Sequence, residues 1–151
     1  MELTGSNIHL SDGGAAMNKN EEQYRLYTEV LTDELRLAMG CTEPIAIAYA
    51  AAKARDVLGE LPSSLSVEVS GNIIKNVKSV VVPHTGGMRG IAAAAAAGVI
   101  AGRADAELEV LSRAEEAGSK RIEDYLKDTP ITVSRCESGN IFDVCVTARK
   151  G

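Results

Sequence analysis

Pro44-Ile45-Ala46-Ile47-Ala48-Tyr49-Ala50-Ala51-Ala52-Lys53-Ala54-Arg55 runs almost without a polar residue until Lys53. A helix that is apolar all round is a buried one. Its many alanines imply that another backbone packs close to it. The second run of this kind is Ile91 to Ala101, which holds six consecutive alanines from Ala92 to Ala97. Gly59 ends the first helix and Pro62 prevents its resumption. Two alanine-rich buried helices therefore form the centre of the fold.

Upstream lies Met39-Gly40-Cys41-Thr42-Glu43. Thr42 is a suitable N-cap, because its oxygen can accept from a free N–H of the first turn. Glu43 and Pro44 suit that turn: the acid faces the positive end of the helix dipole, and proline lacks an N–H that has no partner there. Gly40 and Cys41 then occupy the preceding turn, where a helix end can stabilise a thiolate. The plainer reading of Cys41 is a small buried residue. Further upstream, Tyr27, Val30, Leu31, Leu35 and Ala38 recur at three- and four-residue steps, which predicts an amphipathic helix from Glu21 to Met39. The first 16 residues lack the basic start and apolar centre of a secretory signal, and Met17 follows them. They read as an expression leader or a disordered arm, and His9 within them receives no role.

Downstream, Leu65 to Ser70 alternates apolar and polar residues as a half-buried strand does. Gly71-Asn72 is a turn signal, and Ile73 to Val82 completes a hairpin or begins with a short helical turn. Pro83-His84-Thr85-Gly86-Gly87-Met88-Arg89-Gly90 then leads into the second alanine helix. The free N–H groups of such a loop and helix start suit a carboxylate or phosphate, with His84 and Arg89 beside them. The alternative is that its glycines serve only a tight turn and close packing. The loop matches neither the Walker nor the dinucleotide-binding pattern. Asp105 is placed to cap a segment from Ala106 to Leu111. The charged residues Arg113, Glu115, Glu116, Lys120 and Arg121 read as a solvated face, and Ile122 to Leu126 as a further helix ended by Pro130. Ile131 to Cys136 and Ile141 to Thr147 alternate as two strands joined by a hairpin loop, with Val144 and Val146 on the apolar face and Cys145 and Thr147 on the other. The fold class is α+β: alanine-rich buried helices packed on a small, mostly antiparallel sheet. Residues 17–151 make one domain. The stop at Gly151, directly after a strand, reads as the end of a fragment.

The chain of 151 residues is 45% hydrophobic and 25% charged, the balance of a water-soluble domain. It has no Trp and one Phe, so base-stacking platforms are lacking, and a net charge of −5 disfavours a nucleic-acid surface. The longest apolar run is too short to span a membrane. Three widely spaced cysteines, Cys41, Cys136 and Cys145, suggest reduced thiols in the cytoplasm rather than disulfides. They supply no CxxC zinc pair.

Three blocks carry a family resemblance. They are Gly40-Cys41-Thr42-Glu43-Pro44-Ile45-Ala46, then Ser70-Gly71-Asn72-Ile73-Ile74-Lys75-Asn76-Val77 with Val82-Pro83, and Gly86-Gly87-Met88-Arg89-Gly90-Ile91-Ala92 with Leu108-Glu109-Val110-Leu111. Together the chain resembles the N-terminal portion of the L-cysteine desulfidase and serine-dehydratase-alpha-like iron–sulfur lyases. His84 to Arg89 is also similar to the His-Thr-x-Gly-Pro-Met motif of iron–sulfur L-serine dehydratases.

The resemblance implies a longer protein holding a [4Fe–4S] cluster, with most of its ligands beyond this chain and none bound by this chain alone. The implied reaction is α,β-elimination from L-cysteine to pyruvate, ammonia and sulfide, or the related dehydration of L-serine. Cys41 and Glu43 are then the catalytic candidates, with Cys41 either a base or a cluster ligand. Thr42, His84, Thr85, Gly86, Gly87 and Arg89 are the substrate-binding candidates. The expected partners are a small amino acid, the rest of the parent chain and a further copy in a homo-oligomer. Two other readings stand beside this one: a non-enzymatic domain that binds an amino acid or other anion on the Gly86-Gly87 loop, and an oligomerisation module.

Overall fold

The computed structural model describes residues 21–35 and 40–151. The predicted leader, with His9, lies outside the described residues, as does the expected end of the first helix at residues 36–39. The chain divides into two units after Leu35. In the first, α1 (Glu21–Glu34) forms where the three- and four-residue periodicity placed a helix. Its Thr28 and Thr32 hydroxyls donate to the carbonyls of Tyr24 and Thr28, four residues back.

In the second unit, α2 (Thr42–Leu58) and α4 (Ile91–Ala101) are the two alanine helices, and they pack directly on each other. Ala48, Ala51 and Ala52 of α2 and Ala93 to Ala97 of α4 are buried. A β-carbon on Gly98 would overlap the Ala48 carbonyl, so the two backbones touch there. Arg55 of α2 reaches across to the open end of α4: Nη1 donates to the Val99 carbonyl at 2.9 Å and Nη2 to that of Gly102 at 3.0 Å. It thereby satisfies carbonyls that a helix C-terminus leaves without partners. Gly59 closes α2 in the left-handed conformation (φ 79°), with its N–H donating to the Arg55 carbonyl.

The sheet is three-stranded, in the order β2-β1-β3. Central β1 (Ser64–Val69) pairs in parallel with β2 (Ile131–Arg135) and antiparallel with β3 (Val144–Arg149). Leu65, Val67 and Val69 bury one face of β1, and register places Val146 and Val144 of β3 opposite Val67 and Val69. Cys145 and Thr147 fall on the other face, as alternation required. The class is α+β and the sheet is mixed.

Two expected hairpins do not form. Residues 71–77, expected as turn and strand, are helix α3 (Gly71–Val77); here the alternative of a helical turn holds. Ile73 and Val77, four apart, are both buried, and helical spacing buries both at once. Val81 makes only an isolated bridge to Arg89. The second expected hairpin also opens, because β2 and β3 flank β1 instead of pairing with each other. Their connection crosses the end of β1 and is tied down there: the Ser70 N–H donates to the Asp143 carbonyl, Ser70 Oγ to that of Ile141, and the Cys136 N–H to that of Val69.

The remaining elements are a 3₁₀ segment (Ala104–Glu109), α5 (Ala114–Ala117) and α6 (Ser119–Asp128). Asp105 does not cap as expected; it lies inside the 3₁₀ segment and pairs with Arg103 at 2.6 Å. Tyr125 of α6 is buried, and its hydroxyl donates to the Pro62 carbonyl at 3.0 Å. No helix among the described residues is long and apolar enough to cross a membrane.

Candidate functional site

The first two sequence blocks meet at the start of α2, through Gly40 against Pro83 and Glu43 with Asn76. Cys41, not Thr42, is the N-cap residue, with extended backbone (φ −63°, ψ 128°). Thr42 is the first helical residue and lies exposed. This register puts Pro44 at the third helical position, still among the N–H groups without an intrahelical partner, so its lack of an N–H costs nothing. No side chain caps the helix, because the residue in the cap position is a cysteine turned elsewhere.

The Cys41 Sγ donates to Glu43 Oε2 at 2.8 Å. Glu43 Oε1 accepts from Asn76 Nδ2 of α3 at 3.1 Å. The hydrogen bond to Glu43 pushes the Cys41 thiol above the usual thiol range, and slight burial adds to this. The same bond, followed by that from Asn76, holds the Glu43 carboxyl below the usual carboxylate range. The expectation of a low-pKa thiolate is therefore corrected. An acceptor carboxylate beside the sulfur outweighs the helix end, and the resting pair is a thiol and a carboxylate. Asn76 was missed as a functional residue. Its block was noticed, but a strand reading of residues 73–82 gave its side chain no particular neighbour.

The Gly40 turn abuts the next loop, since a β-carbon on Gly40 would lie 3.2 Å from Pro83 Cγ. The loop from Pro83 to Gly90 is closed at its base: the Val82 N–H donates to the Met88 carbonyl at 2.8 Å and the Gly90 N–H to that of Val80 at 3.3 Å. Thr85 is buried, and its hydroxyl donates to the Val82 carbonyl at 2.8 Å. Arg89 donates from Nη1 to the Ser79 carbonyl. In this geometry Thr85 and Arg89 hold the loop together. His84 adopts left-handed backbone (φ 58°), with Nδ1 3.3 Å from Glu115 Oε1, an acid of the stretch read as a solvated face. Gly86 and Gly87 open on a cleft of about 500 Å³ shared with Ser119, Glu123 and Lys127 of α6. Cys41 and Glu43 do not line that cleft. The site thus has two parts: the Cys41–Glu43–Asn76 cluster, and the loop cleft with Thr85, Gly86, Gly87 and Arg89.

Among the described residues, no three His, Cys, Asp or Glu side chains converge as metal ligands do. The Cys41 thiol is engaged with Glu43, Cys136 lies 3.5 Å from the Ser138 hydroxyl, and Cys145 is exposed on the outer sheet face. The three cysteines of this chain do not by themselves gather at one point, as the thiolates of a [4Fe–4S] cluster do.

Comparison with known proteins supplies relatives. The chain is similar to a UPF0597 protein of Desulfitobacterium hafniense (strain Y51), 54% identical over 131 residues covering 87% of this chain and 30% of that protein. It is similar to a UPF0597 protein of Finegoldia magna, 50% identical over 122 residues, covering 81% and 29%. A UPF0597 protein of Shewanella baltica (strain OS223) is 45% identical over 129 residues, covering 85% and 30%. The chain thus spans about 30% of the length of the curated relatives it matches. No protein-family model matches the chain. No solved structure matches it.

These relatives overturn the expected kinship with the L-cysteine desulfidase and serine-dehydratase-like lyases. They carry the name UPF0597, and no iron–sulfur lyase or serine dehydratase stands among them. Gly87 has φ 95°, a conformation that proline, locked near −65°, does not adopt.

Proposed function

We propose that the parent protein catalyses α,β-elimination from a small amino acid, with L-cysteine as the favoured substrate and L-serine as the close variant. The observation that carries this reading is the 2.8 Å hydrogen bond from the Cys41 thiol to Glu43. Elimination needs one group to accept the Cα proton and one to protonate the departing sulfur or oxygen. In this reading Glu43 accepts the Cα proton while the Cβ–S bond breaks, and Cys41 gives its proton to the leaving sulfur. Once Cys41 is a thiolate, its charge raises the basicity of Glu43 and favours that acceptance. The pair then holds one proton on the carboxyl, and transfer back along the hydrogen bond restores thiol and carboxylate. The products are sulfide and an aminoacrylate, which hydrolyses to pyruvate and ammonia. The electron sink that acidifies the Cα–H, a [4Fe–4S] cluster or another group, belongs to parts of the parent outside this chain. The three free cysteines support a reducing, cytoplasmic setting.

The test is anaerobic turnover by the full-length parent. Pyruvate with sulfide from L-cysteine is expected, and neither Cys41→Ala nor Glu43→Gln should turn over. Full activity in Cys41→Ala would overturn the reading.

A second reading rests on the loop cleft of about 500 Å³ beside Gly86 and Gly87. In it the domain binds an amino acid or other anion without chemistry. Calorimetric binding of L-cysteine or L-serine to a parent that shows no turnover would favour it.

A further inference from the structure

We propose that Asn76 is a positioning residue, which holds Glu43 in the one orientation that keeps its second oxygen on the Cys41 sulfur. This inference rests on the proposed role of the Cys41–Glu43 pair and deepens it. Glu43 projects from the first turn of α2 and is only partly covered, so packing alone does not fix its rotamer. A glutamate carboxylate has three torsions to settle, and a single hydrogen bond to a thiol is a weak restraint. The Asn76 amide supplies the second point of attachment. It donates to Oε1 at 3.1 Å while Oε2 takes the thiol at 2.8 Å, so the two contacts occupy different oxygens. Two fixed points on one planar group set both its position and its tilt.

Asn76 itself is held in place by the fold. Its helix is anchored by buried Ile73 and Val77, the latter its immediate neighbour. The helix is also bonded at its start, where the Ile74 N–H donates to the Ser70 carbonyl and Ser70 is buried. A change of Asn76 therefore reaches Cys41 only through Glu43. Among the described residues, the groups that bear on Glu43 are Cys41 and Asn76, and the group that bears on Cys41 is Glu43. Lys75 and Lys78 flank Asn76 in sequence. Asn76 is neutral at every pH, so it restrains the carboxylate without supplying a charge that would compete with Cys41 for it.

The experiment is alkylation of the full-length parent by iodoacetamide from pH 6 to pH 10, with modification of Cys41 followed by mass spectrometry. Thermal unfolding of each variant shows whether the fold is kept. Glu43→Gln removes the charge beside the sulfur, and the rate at Cys41 near neutral pH should rise about 10-fold. Asn76→Ala should raise it roughly 3-fold, and Asn76→Ser should do the same should alanine unsettle the helix. The Asn76→Ala/Glu43→Gln double variant should match Glu43→Gln alone, because Asn76 acts through Glu43. A purely structural role for Asn76 would lower the unfolding temperature and leave the pH profile of Cys41 in place. A shift with Glu43→Gln but none with Asn76→Ala or Asn76→Ser would overturn the positioning role and leave the pair standing. Additive shifts in the double variant would overturn it as well. An unchanged profile in Glu43→Gln would sink the pair itself and this inference with it.

Discussion

Gly98 lies against the Ala48 carbonyl so closely that no β-carbon fits between α4 and α2. The neighbour there is backbone in the middle of a helix, which cannot swing aside as a side chain can. Gly98→Ala should therefore push the helices apart, although alanine favours a helix by about 1 kcal/mol over glycine. Overpacking of this kind costs roughly 1–3 kcal/mol or more. A urea titration should show a clear loss of stability, and a neutral or stabilised Gly98→Ala variant would refute the close approach.

Arg55 joins the same two helices by a polar route, with donors on the Val99 and Gly102 carbonyls. Arg55→Lys keeps the charge and loses the fork that serves both carbonyls at once. Arg55→Ala should cost about 1–3 kcal/mol, as hydrogen bonds from charged groups do. Arg55→Lys should recover only part of that. Equal melting temperatures for the lysine variant and the native protein would contradict the cap.

Gly87→Pro tests the left-handed backbone of the loop. The φ of 95° cannot accommodate proline, so the loop should open. The expected loss is on the order of 1–3 kcal/mol, the cost of a strained backbone position. An unchanged unfolding midpoint would show that the loop reaches negative φ without penalty.

The Cys41–Glu43 hydrogen bond has a defined pH window. Glu43 is held below its ordinary pKa, so its share of stability is present above the ordinary carboxylate range and is lost as pH falls through the depressed value. Cys41 is raised, so its share is present below the ordinary thiol range and is lost as pH climbs through the raised value. Both groups are largely exposed, and the effect is a few tenths of a kcal/mol to about 1 kcal/mol. Glu43→Gln should thus be slightly less stable than the native protein near pH 7. The gap should narrow at either extreme, and a gap that widened at high pH would contradict the assignment.

Much of the fold was legible because its two central helices carry a signal that little else produces. Ile91 to Ala101 is apolar around its circumference and is buried on nearly every side, whereas α2 buries Ile45, Ile47, Ala48, Ala51 and Ala52 and leaves Lys53 and Val57 exposed. The inner face of β3 was likewise readable from alternation at Val144 and Val146. Strand partners were not readable. Gly71-Asn72 and Glu137-Ser138-Gly139-Asn140 look like hairpin turns, yet the first opens a helix and the second belongs to a crossing tied down at Ser70. Short apolar runs such as Ile73-Ile74 serve strand and helix equally well, and tertiary burial chose between them. Cys41 and Glu43 stood out because they lie two residues apart in sequence at a helix start. Asn76 was hidden because its contact with Glu43 spans separate elements and depends on α3 being helical. The Thr85 and Arg89 assignments assumed free side chains. The structure commits both to main-chain carbonyls that precede the loop, Thr85 to that of Val82 and Arg89 to that of Ser79.

The order β2-β1-β3 has a consequence for the timing of assembly. The central strand is made early, and both of its neighbours are made after the whole helical stretch. A growing chain can bring α2 and α4 together, and bury their alanines, long before Ile131 or Val144 leaves the ribosome. Throughout that interval Ser64–Val69 has two open edges and an apolar face. Val144–Arg149, made last of the three strands, closes one of those edges, so loss of β3 would expose a central strand to foreign pairing.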